Sequence, residues 1–196
     1  MKILISLLVV FLFCFVSACL PYKGAASAGE NTAVIDFGKY YKIYSCGNAT
    51  VGYSVYNEKG KVVLSKTTNH PLKINMIQDN IVDIEIGMGT GIATHQYYDA
   101  LNNAFSEEFN YVLANHKMLV AYIRVPQKNA FAGRSVVVQN IFNKNLFYQE
   151  YALEFSKTDT PVINAVFLNN GASLMVEYLF GAAQAPKTAT LPVLQK

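Results

Sequence analysis

From residue 33 onward, apolar and polar positions alternate in short runs, and Asn, Gly or Pro breaks one run from the next. Alternation with a period of two, bounded by turn residues, predicts strands with one face on a core. The clearest case is 82–86, where Val82, Ile84 and Ile86 alternate with Asp83 and Glu85, a half-buried strand by pattern. Leu72, Ile74 and Met76 alternate with Lys73 and Asn75, and Val51, Tyr53 and Val55 share a face within 49–57. Upstream, 33–45 is dense in Val34, Ile35, Phe37, Tyr40, Tyr41, Ile43 and Tyr44, residue types that favour strands. Asn57-Glu58-Lys59-Gly60 predicts a turn that returns 61–66 as a hairpin partner. The stretch 118–125 is apolar on both faces. Further on, 135–142 should pair with 146–155 across Asn143-Lys144-Asn145, with Phe147, Tyr151, Leu153 and Phe155 on one face. Asn169-Asn170-Gly171 lies between the apolar runs 162–168 and 173–180, a strong hairpin signal, and 190–194 is a closing strand.

One stretch supports two readings. Tyr98, Leu101, Phe105, Phe109 and Val112 recur at three- and four-residue steps, as on an amphipathic helix. Asn102-Asn103 falls in the middle, where a helix is penalised and a turn favoured, so 94–99 and 104–113 also read as a hairpin. The hairpin reading gives an all-β antiparallel sandwich or barrel-like domain. The alternative is an α+β fold with a central helix over about 96–113. No internal repeat or low-complexity tract is evident.

The first nineteen residues follow a different pattern. Lys2 precedes an apolar run, 3–16, interrupted only by Ser6. That is the length of a signal-peptide core and short of the roughly 20 apolar residues that span a membrane. Val16-Ser17-Ala18-Cys19 follows at once and resembles the lipobox of bacterial lipoproteins, with Val16 in place of the usual Leu. The resemblance implies cleavage before Cys19, a diacylglycerol on its sulfur and an acyl chain on its new amino group. Two or more buried chains anchor stably. A second small-residue site, Ala26-Ser27-Ala28, would instead release a soluble protein, but it lies far beyond the apolar run. By the same resemblance, Leu20 rather than Asp after the lipidated cysteine favours the outer membrane. The expected organisation is a signal peptide over 1–18, a lipid-anchored tether over 19–32 and one β-rich domain over 33–196. The small, polar residues 20–31 form a flexible tether with an r.m.s. span of roughly 20 Å.

Cleavage leaves about 178 residues, enough for one domain with a sizeable core. The formal charge of +3 falls by one with Lys2, and the lysines are scattered rather than clustered. Arg124 and Arg134 are the only arginines, so a nucleic-acid partner is not expected. Of the three cysteines, Cys14 leaves with the leader and Cys19 carries lipid, so Cys46 has no internal disulfide partner and reads as a small buried residue.

Candidate chemistry is sparse. Glu85-Ile86-Gly87-Met88-Gly89-Thr90-Gly91 resembles the first motif of S-adenosylmethionine-dependent methyltransferases. The second acidic strand and the alternating helices which that family requires are missing, so a glycine-rich turn or bulge is the expectation and no cofactor is expected. His70, His95 and His116 form no metal-ligand motif. An envelope hydrolase would need a cleft gathering His95 and Asp99 with Glu107 or Glu108. There are 13 Tyr and 12 Phe but no Trp, which removes the best stacking surface. Tyr97 and Tyr98 are the candidate exposed binding aromatics, because neighbours on a strand point to opposite faces. The composite expectation is a non-enzymatic binding or envelope-assembly module. It meets the membrane through the lipid on Cys19 and an envelope protein or polymer through a strand edge or loop patch. The alternative is an inhibitor or immunity lipoprotein against an envelope-attacking hydrolase or toxin.

Overall fold

The computed structural model describes residues 33–47, 49–89, 92–125, 134–158 and 161–194. The leader, the lipobox with Cys19 and the tether 20–31 lie outside the described residues. Turn chemistry divides the rest into four successive antiparallel meanders, each strand pairing with its neighbour in sequence. The first sheet holds β1 (Val34–Gly38), β2 (Tyr41–Ser45), β3 (Val51–Tyr56) and β4 (Val62–Thr68). The second holds β5 (Leu72–Gln78), β6 (Ile81–Gly87), β7 (Ala93–Asp99) and β8 (Ala104–Asn110). The third holds β9 (Val112–His116), β10 (Leu119–Arg124), β11 (Ser135–Asn140) and β12 (Tyr148–Ala152). The fourth holds β13 (Val162–Leu168), β14 (Ser173–Phe180) and β15 (Ala185–Pro192). The protein is thus all-β and antiparallel. None of the four sheets closes into a barrel, and their layering is sandwich-like.

The expected turns form where the sequence places them. Asn57 Oδ1 accepts the amides of Lys59 and Lys61, closing the β3–β4 hairpin. Asn169, Asn170 and Gly171 all take left-handed backbone in the β13–β14 turn, which Asn and Gly tolerate best. The segment 96–113 resolves as the β7–β8 hairpin, not a helix, with Asn102 and Asn103 in its turn. The glycine-rich segment after β6 joins two antiparallel neighbours. The Met88 amide donates to the Ile92 carbonyl at 2.7 Å, while Thr90 and Gly91 lie outside the described residues. Among the described residues the segment leads from β6 into strand β7 and no helix begins there.

Three apolar clusters join the sheets in chain order. Tyr41, Ile43, Tyr53 and Val55 of the first sheet meet Ile74, Val82, Ile84 and Tyr98 of the second. Ile81, Tyr97 and Phe109 of the second meet Val120 of the third, with Ile141 just past β11. Leu119, Ala121, Val136 and Val138 of the third meet Leu174, Val176, Tyr178 and Leu191 of the fourth. The second and third sheets are therefore covered on both faces. This corrects two expectations. The strand 82–86 is not half-buried at its centre, since Asp83 is only 3% exposed. Tyr97 and Tyr98 are not exposed binding aromatics, since both are 0% exposed. Their rings do point to opposite faces, but each face has its own core: Tyr98 enters the cluster shared with the first sheet, Tyr97 that shared with the third. Cys46 is half-buried rather than buried, with its Sγ close to Gly52.

Candidate binding edge and interlayer cleft

β1 is a sheet edge: it pairs with β2 on one side, and no other described strand joins it. Its side chains are unusually apolar for such a position. Val34 is 49% exposed, Ile35 59% and Phe37 74%. Native edge strands are normally protected by lysine, proline, a covering element or a bulge, because an open row of backbone donors and acceptors recruits other strands. β1 has a register irregularity between Val34 and Asp36 but neither Lys nor Pro. Its single charge, Asp36, is occupied locally: it accepts from the Tyr41 hydroxyl and from the Phe37 amide.

The boundary between the second and third sheets is the polar interior of the molecule. β6 and β7 pair with Glu85 opposite His95 and Asp83 opposite Tyr97, so His95 lies diagonal to Asp83 on the face toward the third sheet. His95 Nδ1 sits 3.0 and 3.2 Å from the two Asp83 carboxylate oxygens, which provide the buried carboxylate with a partner. Stacked and tilted rings continue from there: His95 on Tyr97, Tyr97 on Phe109, and Phe109 on Tyr122 of the third sheet. The Tyr97 hydroxyl is buried without a hydrogen bond of normal geometry. Burial and the Asp83 carboxylate push the phenol far above its ordinary range, and the Asn115 side chain acts against that rise. A bulge at Tyr97 lets its amide donate to Ser106 Oγ at 2.9 Å.

A second network completes the boundary. The Tyr122 hydroxyl donates to Gln139 Oε1 at 3.0 Å, and Gln139 Nε2 donates to Glu107 Oε1 at 2.7 Å. Burial, with Tyr148 and Glu107 nearby, pushes Tyr122 up to about 12. Glu150 accepts from Ser135 Oγ and from the Tyr148 hydroxyl and pairs with Arg124 at 2.9 Å. The Ser135 bond is the main reason its carboxyl titrates below the usual range. Two open clefts of about 250 Å³ each lie along this boundary and meet at Tyr111 and Ile123. Tyr111, at φ 56°, is the single residue by which the chain crosses from β8 to β9.

The residues an envelope hydrolase would need are dispersed. His95 is held by Asp83, whereas Asp99 ends β7 and is consumed by the β7–β8 turn. Glu107 reaches Gln139 on the third sheet, while Glu108 stands opposite Gln96 and influences Tyr53 of the first sheet. His70 is exposed after β4, and His116 packs against Phe167. Among the described residues, no group of three or more His, Cys, Asp or Glu side chains could hold a metal ion. Sequence reasoning missed Asp83 and Gln139 as members of a polar site. The signal for Asp83 was the hairpin register: with 88–92 as the β6–β7 loop, His95 falls opposite Glu85 and beside Asp83.

No protein-family model matches the chain, and no curated protein matches it. Among solved structures, the chain is similar to the computationally designed Ika4 protein, with a TM-score of 0.40 and 12% identity over 85% of this chain and 96% of that one.

Proposed function

We propose that the chain is a lipid-anchored module of the bacterial cell envelope, favouring the outer membrane, that works by binding rather than by catalysis. In this reading Cys19 carries the lipid, 20–31 is the tether, and β1 accepts an extended segment of an envelope protein by strand addition. The observation that carries it is the apolar β1 edge, where Ile35 and Phe37 are exposed beside a row of backbone groups that no other described strand pairs with. Strand addition uses main-chain hydrogen bonds for affinity and alternate side-chain contacts for register, and β1 offers both. Its place immediately after the tether puts the docking edge at the anchored end of the domain.

The test is photocrosslinking in cells with a photoreactive residue at Ile35 or Phe37, and at exposed Leu101 as control. Crosslinks to one envelope protein from the β1 positions and none from Leu101 are expected. Crosslinks from neither β1 position under any growth condition would overturn the docking edge. For the anchor, metabolic labelling with a clickable fatty acid should tag the wild type and not Cys19→Ser; equal tagging of both would overturn it.

A further inference from the structure

The cleft on the His95 side of the boundary has a composition that specifies a ligand. Its walls are aliphatic: Ile92, Ala93, Val112, Leu113 and Val162 face the space, with Pro161 at one side. Its polar groups are Glu85 and His95, which stand directly opposite each other across β6 and β7, together with the Tyr111 hydroxyl. Among the described residues, neither lysine nor arginine lines it. Glu85 makes no hydrogen bond or ion pair among the described residues. His95 is oriented by Asp83, whose buried carboxylate faces Nδ1 at 3.0 Å; in the neutral tautomer that donates Nδ1–H, the ring presents Nε2 as an acceptor. Such a carboxylate–imidazole arrangement fixes both tautomer and ring orientation. The cleft therefore combines an anionic acceptor and an imidazole acceptor with a largely aliphatic wall; the Tyr111 hydroxyl can donate there, but no cation among the described lining residues balances Glu85.

We infer that this cleft binds a small alkylammonium ligand, with the cationic head between Glu85 and His95 and the hydrocarbon against Ile92, Val112, Leu113 and Val162. Charge complementarity decides the head group. A carboxylate or phosphate would meet Glu85 without a compensating cation, whereas an ammonium donates to both acceptors. The volume of about 250 Å³ decides the size, since drug-sized ligands occupy clefts of roughly 300–1,000 Å³ and this one suits a chain of a few carbons. The inference does not depend on β1, which lies on another sheet.

The probe is n-pentylammonium titrated into the purified full-length protein, followed by NMR of the His95 ring and the Ile92, Val112, Leu113 and Val162 methyl groups. Saturable shifts at these residues are expected, with a Kd on the order of 1–10 mM for so few heavy atoms. Glu85→Gln, nearly isosteric, should weaken binding about tenfold. 1-Pentanol, equal in length but uncharged, should bind at least about tenfold more weakly than the amine. The melting temperature of Glu85→Gln should stay within about 2 °C of wild type, which separates loss of the site from loss of the fold. The inference is overturned if the cleft methyls do not shift, if the shifts fall on Phe37 and Ile35 instead, or if Glu85→Gln or 1-pentanol binds as tightly as the wild-type pairing with the amine.

Discussion

Asp99 closes the β7–β8 hairpin, and its removal should be among the most damaging single changes in a turn of this protein. Its Oδ1 accepts the amides of Leu101 and Asn102 at 3.0 and 3.1 Å and Asn80 Nδ2 at 2.8 Å, and its Oδ2 accepts Asn102 Nδ2 at 2.7 Å. The carboxylate is 4% exposed. Burial acts to raise its pKa, but the bonds from Asn102, Asn80 and Leu101 outweigh it, and the group titrates below its ordinary 3.8. A hydrogen bond to a charged group contributes about 1.5–3 kcal/mol. The four do not sum, because Leu101 and Asn102 are exposed and their donors can turn to water, while half-buried Asn80 cannot do so freely. Asp99→Ala should therefore destabilise by about 3 kcal/mol, and Asp99→Asn, which sets an amide against the Asn102 amide, by about 2 kcal/mol.

The sign with pH follows from the lowered pKa. The stabilisation is fully present above the unfolded-state value near 3.8 and is lost as pH falls through the lower folded value. Urea unfolding of wild type and Asp99→Asn, followed by circular dichroism, should show the full gap at pH 7 and a shrinking gap below pH 3.8. Equal midpoints at pH 7, or a gap that is unchanged at about pH 2, would refute the assignment of the turn to this carboxylate.

Other changes have equally definite outcomes. Tyr98→Ala empties a fully buried site between the first and second sheets, where the ring meets Phe105 at 4.6 Å, and should cost about 3–5 kcal/mol in urea midpoint analysis. A Cβ at Gly52 would overlap the Tyr44 ring and Cys46 Sγ, so Gly52→Ala should destabilise by about 1–3 kcal/mol, measured by thermal melting. Lys117 holds φ 51° in the two-residue β9–β10 turn and is exposed, so Lys117→Gly should raise stability by about 1 kcal/mol, a melting shift of about 2–4 °C. Phe37→Lys should leave the melting temperature within about 2 °C of wild type while abolishing crosslinks made from Ile35, since Phe37 is 74% exposed.

The hairpins were legible because their determinants are local. Asn57 to Gly60 and Asn169 to Gly171 impose their turns through φ preferences and side-chain bonds spanning a few residues. Layering was not legible, because period-2 alternation reports which face is polar, not what covers it. Asp83 reads as a solvent-facing residue of 82–86, yet its partner His95 lies twelve positions away and reaches it only through the β6–β7 register. Tyr97 and Tyr98 mislead for the same reason: opposite faces meant one exposed ring only if the second sheet had a free face. Gln139 was invisible because it follows three consecutive valines in β11 and is justified by Tyr122 and Glu107, which lie on other strands. In each case a non-local bond compensates a residue that breaks the local pattern.

The same layering singles out β1 among the sheet edges. β4 carries Lys66, β5 carries Lys73, and β8 carries Glu107 and Glu108, each a charge that discourages further pairing. β12 carries Glu150, and β15 has Pro186 and Pro192, which cannot donate to a ladder, together with Lys187. β9 and β13 lack such residues apart from His116, but they lie against each other where the third sheet meets the fourth. β1 has no lysine, proline or covering element among the described residues and its Asp36 is turned back on Tyr41 and Phe37, so the register irregularity between Val34 and Asp36 is its one protective feature. A thinly protected apolar edge is a liability that recruits any extended chain, and the other seven edges among the described strands are better guarded against it. The eighth follows directly on a predicted membrane tether, where its access to a partner at the membrane would be a function rather than a defect.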